Sequence, residues 1–404
     1  MTWDRRVGIG LGLVSGLFLV WVLVGAFVYS PEYVIRTLKS RESSVDDYLN
    51  NFPLRELTAS ATPFSFSEAV SSDARAQLQS VLDTSDIDGF LSETHTQALI
   101  VIKDDTLVYE EYAYGLDRDS RATSFSVAKS IDSALIGIAI DEGFIASVSD
   151  PITDYLPELS ERDSDFEQIT IRDLLLMASG LDYREFRWWL FNGDDPLTTY
   201  YPNQRQISLE NINIVDPPGQ YFLYNKYHPQ LLGMILERTT GMSVTEYTQT
   251  RLWDRIGMEY GGAWALDSDE SGFEKMEAGL NARPIDFAKF GRLFLNNGEW
   301  EGEQVLSAEW VEESTSLDPP THNADYYSRG WGPSVYDDGA GYYKYMWYGR
   351  LRVGEPADIM AEGDHGQFIY ISPANDVIIV RNGTEFGLTS EQWIDAFYRL
   401  AGGL

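Results

Sequence analysis

The longest apolar run of the chain comes first. Val7 to Tyr29, VGIGLGLVSGLFLVWVLVGAFVY, holds 23 residues without a charge, and a helix of that length spans about 30 Å of hydrocarbon. No convincing small-x-small cleavage site follows it. Residues 1–30 therefore read as an uncleaved transmembrane anchor, with a cleaved signal or a buried core helix as the other readings. Charge does not orient the run, because Arg5 and Arg6 precede it while Arg36, Lys39 and Arg41 follow. Its closeness to the N-terminus favours a main domain outside the cytoplasm, in a periplasm or at a cell surface. The paired arginines also faintly resemble a twin-arginine signal.

Residues 31–60 then turn polar without a sustained period, which predicts a juxtamembrane linker. From there the pattern alternates between strand and helix. QALIVI and TLVYEEYAY are β-rich runs parted by Lys103-Asp104-Asp105, a hairpin signature. In FSVAKSIDSALIGIAIDEG, the spacing of Val127, Ile131, Ala134, Leu135 and Ile138 predicts a helix that stops at Gly143. ITIRDLLLMASG predicts another, with Thr170 as N-cap and Gly180 as its end. LLGMILERTT and PIDFAKFGRLFLNNG, with Pro284 near its start, predict two more buried helices. Towards the end, GYYKYMWYG, GQFIYISP and NDVIIVRNGT are successive strand-like runs, and EQWIDAFYRLA closes as a helix. Strands at both ends with helices between them predict one discontinuous α+β domain over residues 61–404. In that domain an antiparallel sheet is built from both chain ends and a helical subdomain is inserted.

Composition narrows the chemistry. Of 404 residues, 44% are hydrophobic and 13% aromatic, which excludes global disorder. Lys and Arg number 30 against 63 Asp and Glu, a formal net charge of -33 that repels phosphate backbones and excludes nucleic acid as a partner. The acidity reads first as a solubility or high-salt surface, and it predicts poor affinity for anionic substrates at low salt. There is no cysteine, so disulfides, thiol nucleophiles and Cys-held zinc or iron–sulfur groups are excluded. Four histidines (His95, His228, His322, His365) form no metal-binding pair. No dinucleotide fingerprint, P-loop or GxSxG elbow is present, and no cofactor is expected.

The chemical candidate that remains is Ser126-Val127-Ala128-Lys129. On a helix, residues three apart share a face, so the hydroxyl and the amine can meet. An amine at the start of a buried helix loses hydration, and its pKa falls toward that of a usable base. The helix dipole favours negative charge developing at the same end. Taken alone, Ser-x-x-Lys is a common chance pattern.

Its setting makes it specific. TSFSVAKSI follows the hairpin and opens a long apolar helix; DPITDYLPEL and ITIRDLLLMASGLDY come next. PPGQYFLYNKYHPQLLGMILERTTGMSVTEY, EAGLNARPIDFAKFGRLFLNNGEWEGEQVLSAEW and AEGDHGQFIYISP follow in order. This succession, over about residues 60 to 402, resembles the serine β-lactamase and penicillin-binding-protein superfamily. It is most similar to the class C-related branch, and in particular to 6-aminohexanoate-dimer hydrolases. The resemblance implies a β-lactamase/transpeptidase-like fold and a serine hydrolase. Ser126 would be the nucleophile of an acyl-enzyme, Lys129 the partner that takes or relays its proton, and Tyr224 a base or proton shuttle. It leaves open whether Lys129 or Tyr224 accepts the proton. It also implies an oxyanion hole from the backbone amides of Ser126 and Asp364, and substrate-binding roles for Lys226, Gly363, Gln367 and Tyr183.

Two departures matter. The second motif ends in Lys226 where that superfamily often has Asn, so Lys226 reads either as a second cation at the site or as a surface lysine. The third motif is Ala361-Glu362-Gly363 and lacks the usual leading cation, which argues against an efficient β-lactamase and toward an amidase or esterase acting on a small molecule. A penicillin-binding D,D-peptidase and a non-catalytic binding or sensor protein are the alternatives. His365 and His228 read as structural residues, while Trp188 and Trp189, with Tyr183, read as either a pocket wall or ordinary packing. Asn382-Gly383-Thr384 reads as a turn that happens to match a glycosylation sequon. No obligate protein partner is evident.

Overall fold

The computed structural model describes the backbone of residues 3–39, 44–185 and 191–404; the side chains of residues 3–14, 17 and 46–48 also lie outside it. Within it, the strand-like runs at the two chain ends pair with one another. β1 (Thr96–Lys103) and β2 (Thr106–Tyr112) form the expected hairpin, turned by Asp104 and Asp105 at φ 49° and 58°. The later strands are β3 (Gly341–Lys344), β4 (Trp347–Arg352), β5 (Glu355–Gly363), β6 (Gln367–Ser372) and β7 (Val377–Gly383). Their lateral order is β3-β4-β5-β6-β7-β1-β2, with Val380 of β7 opposite Ile100 of β1. Neighbouring pairs in this series run antiparallel. One detail departs from the expected all-antiparallel sheet: Ser67–Glu68 reaches the outer edge of β2 running in its direction, which makes the sheet mixed.

Both faces of the sheet are covered, which is why its central strands read as unbroken apolar runs rather than as an alternation. Leu99, Val101, Val377 and Ile379 face the C-terminal helix with Trp393, Phe397 and Leu400. The alternate residues Ile100, Ile102, Ile378 and Val380 belong to the main core with Phe290 and Leu293. The helices that matter for the site are α1 (Trp3–Val28), α2 (Ala128–Asp141), α3 (Asp194–Tyr200), α4 (Tyr227–Thr240), α5 (Pro284–Leu295) and α6 (Ser390–Gly403). α2 is buried all round from Ala128 to Ala139, a core helix whose polar residues must each be accounted for. It ends as expected at Gly143, in a left-handed conformation at φ 77°. A second, smaller sheet joins Leu54–Leu57, Gly262–Ala265, Leu280–Ala282 and Ala122–Thr123 in that order.

One expectation for the N-terminal part needs correcting, and a second finds no support among the described residues. Residues 31–60 are not a featureless linker: Pro31–Lys39 and Val45–Asn50 are helical, and Leu54–Leu57 is an edge strand of the smaller sheet. Tyr33, Val34, Phe52 and Leu57 are buried, and the Tyr33 hydroxyl donates to the Phe191 carbonyl at 2.9 Å. The segments are too short to show a period, yet their apolar residues find the core. As for the transmembrane anchor, among the described residues no helix is long and apolar enough to cross a membrane. α1 leans on the domain at its end, with the Trp21 and Phe191 rings 4.8 Å apart.

Candidate active site

The smaller sheet delivers the chain to Ser126. Ala122–Thr123 runs into a single 3-10 turn, Phe125–Val127, which becomes α2. Phe125 sits at φ 43°, a left-handed conformation that costs a bulky residue about 1–3 kcal/mol. Its neighbours hold it there. Ser124 N donates to the Leu280 carbonyl at 2.8 Å, and the Ser124 hydroxyl donates to the Phe125 carbonyl at 3.1 Å. The Phe125 ring packs 5.0 Å from the ring of His365, itself left-handed at φ 59°. The backbone is thus bent just before Ser126 and again just after Asp364, and the two bends touch.

Ser126 is half-buried at the mouth of this turn, and Lys129 lies beneath it, 1% exposed. The Lys129 amine donates to Ser126 Oγ at 2.8 Å and to the Glu277 carbonyl at 2.5 Å. Burial and, after it, the Lys226 charge lower the pKa of Lys129 to about 7 against the opposing pull of Glu277, Asp132 and Asp195. The Tyr224 ring covers the amine, with Nζ 5.0 Å from its centroid. Burial pushes the Tyr224 hydroxyl up; its hydrogen bond with Ser126 and the Lys226 charge pull the other way, while Glu362 and Asp364 push up again. Ser126, Lys129 and Tyr224 therefore form one connected group. At near-neutral pH such a lysine can exist as a free base beside the hydroxyl it would deprotonate.

The third motif closes the group from the sheet. β5 pairs with β4 only as far as Met360, but with β6 as far as Gly363. Beyond Met360 the β4 side of β5 therefore carries no strand partner, and Gly363 at its end lies next to Ser126. Gly363 has no room for a side chain: a Cβ there would lie 2.5 Å from the Ser124 carbonyl oxygen and 3.0 Å from Ser126 N. The two segments named for the oxyanion hole are thus in direct contact. Gln367 is 1% exposed and spends both ends on the framework. Its amide donates to Gly383 O at 2.7 Å and Asp364 O at 3.2 Å, while its carbonyl accepts from Asn382 Nδ2 and Gly383 N. It holds the 364–366 turn instead of facing a substrate. Asn382 of the sequon is buried at the end of β7.

Arg381 does more for the same turn, and no sequence motif marked it. Fully buried on β7, it donates to the carbonyls of Gly366 (2.6 Å), Thr94 (2.8 Å) and Glu385 (3.1 Å) and to Thr96 Oγ1 (3.0 Å). Burial lowers its pKa to about 9. Its signal was an arginine inside the apolar run VIIVRNG, where a charge survives only if fully hydrogen-bonded. Arg381→Met strands several buried carbonyls. It should lower stability by about 3 kcal/mol or more, read as the urea midpoint.

Residues 88–399 match the description of the β-lactamase family. The chain belongs to the β-lactamase family. Among curated relatives, the 6-aminohexanoate-dimer hydrolase of Paenarthrobacter ureafaciens is 27% identical over 310 residues, which is 73% of this chain and 74% of that protein. Among solved structures, a Bacillus anthracis protein provisionally described as a 6-aminohexanoate-dimer hydrolase superposes with a TM-score of 0.72 at 22% identity, covering 88% of this chain and 91% of its own. A class C β-lactamase in complex with cefoxitin gives a TM-score of 0.60 at 14% identity, covering 82% of this chain and 99% of that one. At these identities the structural likenesses speak for the fold.

Against this family background, Lys226 is half-buried, with Nζ 2.5 Å from Asp195 Oδ1 and 3.3 Å from Thr199 Oγ1. Burial alone would lower its pKa, but Asp195 outweighs burial and raises it. Tyr183 stands behind this pair, 8% exposed, its hydroxyl 3.4 Å from both Asp195 Oδ1 and Thr198 Oγ1. Trp188 and Trp189 fall outside the described residues. His228 is a buried packing residue, its Nε2 2.6 Å from Ser179 Oγ, and burial lowers its pKa to about 3. Burial, with a smaller push from Asp364, raises the Glu362 carboxyl to about 7, against the pull of Ser390 Oγ, which donates to it at 2.5 Å. Among the described residues, no group of three or more His, Asp or Glu side chains could hold a metal ion.

Proposed function

We propose that this β-lactamase-family protein is a serine hydrolase that cleaves an amide or ester bond of a small molecule through a Ser126 acyl-enzyme, in the manner of 6-aminohexanoate-dimer hydrolases or esterases. The observation that carries this reading is the Lys129 amine, buried, lowered to about 7 and 2.8 Å from Ser126 Oγ. Ser126 Oγ attacks the carbonyl carbon as its proton passes to Lys129, directly or through Tyr224. The oxyanion forms between the amides of Ser126 and Asp364. Its collapse breaks the C–N or C–O bond and returns the proton to the leaving amine or alcohol. Water then hydrolyses the acyl ester by the same route in reverse, with the proton again held by Lys129 and Tyr224. Ala361 supplies no cation for a substrate carboxylate, which favours esters and amides over β-lactams and peptide carboxylates.

The reading is tested by fluorophosphonate labelling and p-nitrophenyl-ester turnover. A wild type that is neither labelled nor active would remove the enzyme reading in favour of a binding protein, whereas acylation of Ser126 by a labelled penicillin would favour the D,D-peptidase alternative. The pH profile offers a second test. With Lys129 as base, kcat/KM should rise with pH through about 7 as the amine loses its proton. Glu362 titrates in the same range, so the profile is repeated in Glu362→Gln. A limb that survives belongs to Lys129; a limb that vanishes belongs to Glu362 and removes Lys129 as the base.

Attachment to a membrane through the uncharged run Val7–Tyr29, and with it a location outside the cytoplasm, belongs to the same proposal. It is supported by the exposure of Leu19, Leu23 and Phe27 on α1. A chain lacking residues 1–30 should move from the membrane pellet to the soluble fraction. A full chain that is already soluble would count against attachment.

A further inference from the structure

The backbone is bent beside each of the two amides named for the oxyanion hole, and each bend falls on a residue with a ring. Phe125, directly before Ser126, lies at φ 43°, and His365, directly after Asp364, lies at φ 59°. Their rings meet at 5.0 Å between centroids, tilted by 42°. The backbones touch as well, since a Cβ on Gly363 would lie 3.0 Å from Ser126 N. The strain is not shared evenly between the two bends. Histidine, with asparagine and aspartate, enters the left-handed region more readily than most residues, whereas a bulky phenylalanine there is an outlier. Such an outlier persists only where its surroundings over-determine it.

The two bends are held from different parts of the molecule. On the Asp364 side, the sheet grips every carbonyl of the turn. Asp364 O accepts from Gln367 Nε2 at 3.2 Å, His365 O from Arg381 Nη1 at 3.3 Å and Gly366 O from the same Nη1 at 2.6 Å. The Asp364 carboxylate accepts from His365 N at 2.8 Å, which fixes the shape of the turn itself. On the Ser126 side, the holds come from the smaller sheet and from the 3-10 turn. Ser124 N donates to Leu280 O at 2.8 Å, and Val127 N donates to Ser124 O at 3.1 Å. None of these bonds joins one bend to the other. The contact of the Phe125 and His365 rings does.

We propose that His365 is a positioning residue for the reaction: its ring clasps that of Phe125, and the clasp sets the spacing of the Ser126 and Asp364 amides between which the oxyanion forms. Donors fixed in advance need no reorganisation when charge develops. A displacement of about 1 Å costs about 10²-fold in rate. His365 acts here through its shape, as a ring on a residue type that tolerates a left-handed backbone, and the role needs no proton transfer. Its part in turnover rests on the serine hydrolase reading; the tie between the ring contact and the conformation of Phe125 does not.

The test removes the ring and leaves the backbone unstrained. His365→Gly adopts a left-handed φ without steric cost and has no ring, while His365→Phe keeps a ring without its nitrogens. The first measurement is the crystal structure of the full chain carrying His365→Gly, read at Phe125. Phe125 should leave the left-handed region; a Phe125 that stays at positive φ overturns the inference. The second is turnover of a p-nitrophenyl ester. His365→Gly should lower kcat about 10²-fold and leave KM within about twofold, and His365→Phe should recover most of the loss. A packing role alone would lower the urea midpoint with kcat unchanged, and that result overturns the inference. So does a loss as deep in His365→Phe as in His365→Gly, which would assign the effect to the imidazole nitrogens. If His365→Gly does not fold, His365→Asn takes its place in both measurements, since asparagine also tolerates the left-handed region. A wild type without activity sinks the hydrolase reading alone, because the conformation of Phe125 in the ringless variant still decides the clasp.

Discussion

Replacing Ser126 by alanine is expected to lower kcat/KM for a p-nitrophenyl ester by about 10⁵–10⁶-fold and to abolish covalent labelling by a fluorophosphonate, read by intact mass. The size of the effect follows from how little else can attack. The chain has no cysteine, and the neighbouring hydroxyls are committed. Ser124 donates to the Phe125 carbonyl at 3.1 Å, and Ser130, fully buried, donates to the Met346 carbonyl at 2.7 Å. The substitution removes one hydroxyl from a half-buried position and costs Lys129 a single acceptor. The stability change should stay near 1 kcal/mol, so lost activity cannot be put down to unfolding. Activity within tenfold of wild type would place the nucleophile elsewhere.

The second large effect is expected at Lys129. Lys129→Ala should lower kcat/KM by about 10²–10⁴-fold and should also flatten the acid limb near 7, because the group that titrates there is gone. The two readouts together separate a base from a merely structural lysine, whose loss would lower activity at every pH with the limb intact. A small primary amine added to the Lys129→Ala protein can enter the space left beside Ser126 Oγ. Rescue that grows with the free-base concentration of the amine is the expected result. A limb that persists in Lys129→Ala would belong to Glu362 and remove Lys129 as the base.

What could be read from the sequence was local. Ser126 and Lys129 sit one helical turn apart, and Tyr224 lies in a run whose neighbours identify it, so short-range spacing was enough. The apolar runs of β1 and β7 revealed what the two ends of the chain contribute to the sheet because each is buried on two faces. What escaped were contacts that bring distant residues together. Lys226 could be seen, but its pairing with Asp195, 31 residues away, could not. The Glu277 carbonyl escaped for a different reason: a backbone oxygen carries no residue identity. Gln367 was read as facing the substrate, since a glutamine near the third motif looks the same whether its amide points to the cleft or to Gly383 O. The helices within residues 31–60 are too brief for a period to emerge, and only the folded core shows why Tyr33 and Phe52 are apolar.

The Arg381 bonds to Thr96 and to the 364–366 turn have a consequence for synthesis. Arg381 and Thr96 are 285 residues apart. A ribosome that has translated past Ser126, Lys129 and Tyr224 has therefore made every reactive side chain of the group but not the strand that braces the turn carrying Asp364. Until β7 emerges and inserts beside β1, the nascent chain holds Ser126 without the braced turn that carries Asp364. On the proposed hydrolase reading, onset of hydrolysis would be tied to near-completion of the polypeptide, and incomplete translation products would remain chemically silent.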